Sequence, residues 1–329
     1  MRYLLVFLLF LLSVTSISAR TRLTTLSSSK LVIHTGSYSI DYNNLTQSEI
    51  DAHVLAIVTS IPNTTHIAVG TYLDYDQQLS MWANSIRSHG KKVFFRSAGF
   101  NAWQQTNGET YVMTPLDHIV WTATVVRLHP TIFQSGDIFE PVPDEPENGT
   151  YWHNTYGPSG IGTNQASKDE FNQFIQDSIV SANSVFAEMN ITGVRTDYVF
   201  TNPSVAKDII DSITASMIVV GTDNYPENGL TTPAQMANAM QQELNTWVVP
   251  AHPTRPKHIT FGPSVYTQLT QKVQKNAYTQ EHSVIKSTIS NLDGVTIWQS
   301  GATWNPLSRI FDYNNVWLPR QATSAINQF

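Results

Sequence analysis

Eight β-rich runs alternate with helical patterns along the chain, and this alternation is the feature that most constrains the fold. Each run opens with apolar and β-branched residues and ends in polar, glycine or proline residues. The runs cover residues 30–40, 66–75, 91–99, 136–142, 193–200, 216–225, 258–266 and 294–301. Eight strands alternating with helices predict an α/β fold of the (β/α)8 barrel type. An open doubly wound sheet is the alternative, but no G-x-G-x-x-G segment follows any run.

The segments between the runs carry the spacing of helices. Segment 76–90 places its apolar residues on one face and stops at Gly90. Segment 167–190 starts with Ser167 three residues before Glu170, which is the pattern of a capping box. Further helices are predicted over 115–128, 203–214, 231–248 and 278–291, and a long substrate-shaping loop is predicted over 148–162.

Residues 1–19 have the pattern of a secretory signal peptide. Arg2 supplies an early positive charge, the stretch YLLVFLLFLLSV follows, and small residues lead to Ala19. This apolar stretch is shorter than the roughly 18–20 residues that a membrane-spanning helix needs. Cleavage after Ala19 or Ser16 is expected, and an uncleaved membrane anchor is the alternative. We therefore expect a single domain over 20–329, secreted or periplasmic, monomeric, and free of the membrane after signal cleavage.

The composition excludes several classes of function. The chain has no cysteine, which rules out disulfides, thiolate metal sites and thiol nucleophiles. A formal charge of −6 with 13% charged residues argues against binding to nucleic acid or to an anionic membrane. The ten histidines show no H-x-H or H-E-x-x-H spacing, so neither a metal nor another cofactor is predicted. Eight tryptophans and thirteen tyrosines suit stacking on sugars, although core packing uses the same residues.

Polar and aromatic side chains collect where the β-rich runs end. In a barrel of parallel strands, the active site lies at the carboxyl ends of the strands and in the loops that follow them. In chain order these ends offer His34, Tyr72, Asp74, Arg96, Glu140, Asp197, Asp223, Tyr225, Trp298 and Gln299. The beginnings of the runs offer nothing comparable, and this asymmetry predicts a site at the carboxyl end of the sheet.

Three of these positions resemble the barrel glycoside hydrolases. Many of those enzymes carry a general-acid Glu at the end of strand four, often before proline, and Phe139-Glu140-Pro141 matches that pattern. Trp298 in TIWQSG resembles their strand-eight tryptophan below the sugar, and Tyr225 resembles a tyrosine common after strand six. One departure is clear, because the large retaining group keeps its nucleophilic Glu at the end of strand seven. Here that run reads HITFGPSVY and has no carboxylate.

The resemblance implies hydrolysis of glycosidic bonds in a polysaccharide or oligosaccharide, which needs one protonated and one ionised carboxyl group. Glu140, flanked by Phe139 and Pro141, is the candidate general acid. Asp223 is the first candidate for the ionised partner, followed by Asp197 and then Glu227. The predicted substrate-binding residues are His34, Tyr72, Asp74, Arg96, Tyr225, Trp298 and Gln299.

Two other interpretations stay open at this point. The missing carboxylate in the seventh run favours a carbohydrate-binding barrel without catalysis. A barrel lyase or hydrolase for a substrate other than sugar is weaker. Arg96 directly follows an apolar stretch, and an arginine in such a position needs a carboxylate partner. Its role is therefore as readily structural as substrate-binding. Asp197 in turn has Arg195 and Arg96 as candidate partners.

Overall fold

The computed structural model of the chain describes residues 30–35, 45–70, 76–96, 112–142, 150–157, 164–196, 198–200, 218–222, 230–250, 256–262, 270–298, 310–313 and 317–329. The predicted signal peptide and the predicted helix over 203–214 lie outside these residues.

The described part of the chain is built on one parallel sheet. Its strands are β1 Lys30–His34, β2 His66–Gly70, β3 Lys92–Arg96, β4 Ile138–Phe139, β5 Arg195–Thr196, β6 Tyr198–Phe200, β7 Ile218–Thr222, β8 Lys257–Phe261 and β9 Leu292–Ile297. Each predicted run contains one strand, except that the fifth contains both β5 and β6. The order across the sheet is β5-β4-β3-β2-β1-β9-β8-β7-β6, and all pairs in it are parallel. A separate antiparallel pair is formed by β10 Phe311–Tyr313 and β11 Trp317–Pro319.

Helices separate most of the strands, as a parallel sheet requires. They are α1 Gln47–Ser60, α2 Asp76–Ser88, α3 Pro115–Leu128, α4 Thr150–Tyr156, α5 Gln165–Glu188, α6 Pro233–Glu243, α7 Gln271–Thr288 and α8 Gln321–Ile326. A turn of π-helix, Leu244–Val248, continues α6. Among the described residues, no helix combines the length and the apolar character needed to cross a membrane.

The helix predictions that fall on described residues are confirmed, and three details are corrected. Helices α2, α3, α5 and α6 lie where the spacing predicts them, whereas α7 begins at Gln271, seven residues before the predicted segment 278–291. The capping box at Ser167 is wrong, because α5 starts at Gln165 and the side chain of Asn164 accepts the backbone N–H of Ser167. The predicted loop over 148–162 contains helix α4, and its Trp152 is fully buried.

The two faces of the sheet are buried in different ways. Because side chains alternate along a strand, Ile33, Ile67, Phe95 and their equivalents share one face, where they belong to a large apolar cluster with residues of the helices. The opposite face carries a small separate cluster of Val32, Ala68, Phe94 and Ile138, one from each of β1 to β4. Among the described residues, no helix residue belongs to this second cluster, which therefore lies inside the curve of the sheet.

The sheet is strongly curled. Five strand-to-strand steps separate β5 from β9, which amounts to roughly 24 Å in a flat sheet. Nevertheless, the guanidinium of Arg195 on β5 lies 3.2 Å from the carboxylate of Asp293 on β9. Two side chains cannot bridge the flat distance, so the concave face must bring these strands opposite each other.

A cluster of charged and imidazole groups fills the concave face at the amino ends of the strands. Asp293 accepts hydrogen bonds from Lys30 at 2.6 Å and from Arg195 at 3.2 and 3.3 Å, and its carboxylate lies 3.6 Å from Nδ1 of His258. Burial alone would raise the pKa of Asp293, but the hydrogen bonds from His258, Arg195 and Lys30 outweigh it and hold that pKa far below its usual range. The expectation that the strand beginnings carry nothing comparable to the strand ends is therefore wrong.

Candidate functional site

The candidate site forms the last layer of the concave face, at the carboxyl end of the sheet. Val32, Phe94 and Ile138 point into the concave face, so the residues two positions further along, His34, Arg96 and Glu140, point the same way. All three side chains are buried, and that of Glu140 is completely so. The sequence pattern thus brings three of the predicted site residues together in one layer.

Glu140 is held in place by backbone contacts on both sides. Its own N–H donates to the carbonyl of Phe95 at 2.9 Å, which continues the pairing of β4 with β3. The carbonyl of the next residue, Pro141, accepts hydrogen bonds from Nε2 of His118 at 2.9 Å and from Oγ1 of Thr122 at 3.1 Å. Both donors belong to α3, so sheet and helix together fix the direction of the Glu140 side chain.

Arg96 and Glu140 form a buried ion pair across two adjacent strands. Nε of Arg96 lies 2.9 Å from Oε2 of Glu140, and their side chains are 5% and 0% exposed. Glu140 thus supplies a carboxylate partner of the kind that the position of Arg96 predicts, whereas Asp197, which was considered as a partner of Arg96, lies outside the described residues. Arg195, the other arginine considered for Asp197, contacts Asp293. An arginine guanidinium stays charged in proteins, so its contact favours the ionised form of the Glu140 carboxyl group.

Trp298 completes this layer from the end of β9. Its ring stacks on the imidazole of His34, with centroids 4.6 Å apart and planes inclined by 16°. This contact follows from the register, because Ile33 pairs with Ile297 and places the next residue of each strand side by side. The guanidinium of Arg96 also lies over the indole, 5.2 Å from its centroid. Trp298 is half-buried, whereas burial and then the charge of Arg96 keep the pKa of His34 well below its usual value.

Two residues that the sequence analysis did not single out shape the surroundings of Trp298. A Cβ atom on Gly262, at the end of β8, would lie 3.2 Å from Cβ of Trp298, closer than side chains normally pack. The same Cβ would lie 3.6 Å from the hydroxyl of Tyr278, a buried residue of α7. Glycine directly after a strand is the signal for close approach that was available in the sequence.

The other predicted site residues lie outside the described residues. They are Tyr72, Asp74, Asp197, Asp223, Tyr225 and Gln299, together with the third candidate partner, Glu227. Their roles stay predictions. Four of the predicted residues, Glu140, Arg96, His34 and Trp298, are described, and the structure places all four in one contact network. Within the described stretches, no group of three or more potential ligands is arranged to hold a metal ion.

Comparison with known proteins finds matches in structure but none in sequence. No protein-family model matches the chain, and neither does any curated protein. Solved structures do match. A GH5-4 broad-specificity endoglucanase from Clostridium acetobutylicum has a TM-score of 0.66 at 12% identity, with 92% of this chain and 98% of that chain covered. A similar endoglucanase from Clostridium longisporum has a TM-score of 0.64 at 10% identity, covering 92% and 95%.

A β-D-glucuronidase from Dictyoglomus thermophilum matches with a TM-score of 0.60 at 13% identity. The alignment covers 91% of this chain but 49% of the glucuronidase, so the chain corresponds to about half of that protein. The chain folds like these barrel glycoside hydrolases. Identities of this size establish likeness of fold, and the resemblance derived from the strand ends is confirmed at that level.

Proposed function

We propose that the chain is a secreted glycoside hydrolase-like protein that cleaves glycosidic bonds in a polysaccharide or oligosaccharide. The observation that carries this proposal is the buried Arg96–Glu140 pair beside Trp298, at the carboxyl end of a parallel sheet. In barrel enzymes this end of the sheet holds the active site. A partly exposed tryptophan next to an oriented carboxylate is suited to binding a sugar ring next to a group that can act on its anomeric carbon. The similarity in fold to endoglucanases and to a β-D-glucuronidase supports the same class of substrate.

The proposal includes closure of the sheet into a full (β/α)8 barrel. β5 pairs with β4 and β6 pairs with β7, and one residue separates β5 from β6 in sequence. If β5 and β6 are two halves of a single fifth strand, the chain has eight strands and the sheet has no free edge. The Arg195–Asp293 contact across the concave face supports this closure. Secretion rests on the sequence of residues 1–19, and N-terminal sequencing of the exported protein would test it.

Glycoside hydrolysis needs a second carboxyl group near Glu140. The candidates are Asp223 at the end of the sixth run and Asp197 in the fifth, with Glu227 third. Single Asp→Asn and Glu→Gln changes at these positions would identify the partner. The essential one should lose about 10³-fold or more in kcat, and the others should lose far less.

A glycan panel tests the proposed function directly. Purified protein should release reducing ends from at least one polysaccharide or oligosaccharide. Glu140→Gln should abolish that release while near-ultraviolet circular dichroism confirms the fold. Glu188→Gln is the matched control, because Glu188 also pairs with an arginine, at 2.8 Å, but is 53% exposed on the surface. Full activity in Glu140→Gln would refute the assignment.

The complete burial of Glu140 favours a second function, a carbohydrate-binding barrel without catalysis. A fully buried carboxylate that pairs with an arginine is equally typical of an ion pair with a purely structural role. The same panel separates the two functions, because binding without release of reducing ends supports the non-catalytic protein.

A further inference from the structure

We propose that His118 positions the carboxylate of Glu140 by holding the backbone carbonyl of the next residue, Pro141. This inference rests on the proposed function, since it gives a residue outside the concave face a part in catalysis. His118 belongs to α3, which covers the outer face of the sheet, because Ala123 of the same helix shares the large apolar cluster with Phe139. Glu140 points the other way, into the concave face.

The backbone of Glu140 is anchored on its two sides by different partners. On one side, its own N–H donates to the carbonyl of Phe95 at 2.9 Å. On the other side, Pro141 has no N–H to contribute, and its ring fixes φ at about −65°. The direction of the Pro141 carbonyl therefore decides how the chain leaves Glu140. Nε2 of His118 donates to that carbonyl at 2.9 Å.

The imidazole of His118 suits this contact because it is neutral and packed on two sides. It is fully buried, and burial outweighs the contact with Pro141 and lowers its pKa to about 4. A carbonyl oxygen only accepts hydrogen bonds, so the proton of the neutral ring lies on Nε2. Trp121 on α3 and Phe174 on α5 pack against the ring, with centroids 5.2 and 5.6 Å away. The donor atom is thus held in a fixed direction.

A second donor to the same carbonyl sets the size of the expected effect. Oγ1 of Thr122, one turn further along α3, lies 3.1 Å from the oxygen of Pro141. Replacing His118 by Phe leaves this buried carbonyl with one donor, which avoids the full cost of an unsatisfied group. The carbonyl can then turn toward Thr122, and the backbone of Glu140 moves with it. A shift of a reacting group by about 1 Å can cost about 10²-fold in rate.

Steady-state kinetics of His118→Phe on a substrate that the unmodified protein cleaves tests the proposal. Phenylalanine retains a flat buried ring and loses the N–H. We expect kcat to fall about 10–100-fold, with KM within about twofold of its original value. His118→Gln, which presents a side-chain N–H at a similar distance from the backbone, should recover most of the loss. An unchanged kcat in His118→Phe, or no recovery in His118→Gln, would overturn the proposal.

His53→Phe is the matched control for the loss of a buried imidazole. His53 on α1 is also fully buried, and its ring packs against Trp82 with centroids 5.8 Å apart. Burial lowers its pKa to about 3, so the same neutral ring is exchanged on a different helix. His53→Phe should leave kcat unchanged. Equal losses of kcat in the two phenylalanine variants would show a general effect of core substitution and would overturn the proposal.

A milder variant covers the case in which His118→Phe does not fold. Thr122→Val removes the other donor to Pro141 and should lower kcat several-fold without raising KM. Thr124→Val is its control, because the hydroxyl of Thr124 donates to the carbonyl of Val120 on the same helix instead. Equal kcat values in these two valine variants would count against the anchor.

A resonance of Glu140 separates failure of this inference from failure of the proposed function. In protein that carries 13C at the glutamate carboxyl carbons, the signal missing from Glu140→Gln belongs to Glu140. This signal should shift in His118→Phe and keep its position in His53→Phe, whether or not the protein releases sugar. An unmodified protein that releases no sugar from any substrate refutes the proposed function, and an unmoved Glu140 signal refutes the role of His118.

Discussion

Replacing Asp293 by Asn should destabilise the protein more than any change at an exposed ion pair. Asp293 is the acceptor for Lys30 and Arg195 on two other strands, and its side chain is 15% exposed. At 3.2 Å and an effective dielectric constant near 20, one such pair is worth about 5 kcal/mol before desolvation is subtracted. Breaking a fully buried pair costs about 3–5 kcal/mol, and the two cations here are 26% exposed, so we expect a loss of about 2–4 kcal/mol.

Urea unfolding followed by tryptophan fluorescence measures this loss. The midpoint should fall without a change in slope, and the melting temperature should drop by about 4–8 °C, at about 2 °C per kcal/mol for a domain of this size. Glu188→Gln breaks the exposed pair with Arg127 and should cost less than about 1 kcal/mol. If Asp293→Asn costs no more than Glu188→Gln, the charged cluster does not hold the strands together as argued.

The pH dependence gives a second check on Asp293. Its pKa is lowered in the folded protein, so its contribution is present above the unfolded-state value of about 3.9 and declines as the pH falls below it. The difference in stability between the unmodified protein and Asp293→Asn should therefore stay constant from pH 7 to about pH 5 and shrink below about pH 4. A difference that vanishes already at pH 6 would contradict this assignment.

Three further outcomes are expected. Trp152→Ala should cost about 3–5 kcal/mol in urea unfolding, because the indole is fully buried against Phe171. His34→Ala should change the near-ultraviolet circular dichroism of Trp298 and weaken sugar binding, whereas His34→Phe, which retains a flat ring, should preserve both; equal behaviour of the two variants would argue against the stack. Burial and then the charge of Glu243 raise the pKa of Glu281 to about 8, so the stability of the unmodified protein relative to that of Glu281→Gln should fall as the pH rises from about 4.5 to about 8.

The strand pattern and much of the site could be predicted because both depend on local sequence. Each run has a β-rich stretch and a polar end, and all eight runs contain a strand. The same alternation places His34, Arg96 and Glu140 on one face, so their proximity follows from the parallel order. Helix α1 is not among the predicted helices, although Thr46 and Glu49 form a capping box at its amino end.

Contacts between distant segments could not be predicted from local patterns. Lys30 and Asp293 are 263 positions apart, and neither belongs to a recognisable motif. Their contact depends on the curl of the sheet, which no single segment encodes. The contact between Arg96 and Glu140 has the same origin, because these residues are 44 positions apart and meet only through the pairing of two strands.

The apolar layer of Val32, Ala68, Phe94 and Ile138 separates the two polar ends of the concave face. On β1, Lys30 of the Asp293 cluster and His34 of the Glu140 layer are four residues apart, on either side of Val32. The two polar groups are therefore separated by roughly 13 Å along the strands. Substitutions at that separation without shared partners are usually additive. The chain should therefore accept stabilising replacements around Asp293 while the groups near Glu140 are exchanged. Under the proposed function, substrate preference would then be open to selection without a loss of stability at the amino end of the sheet.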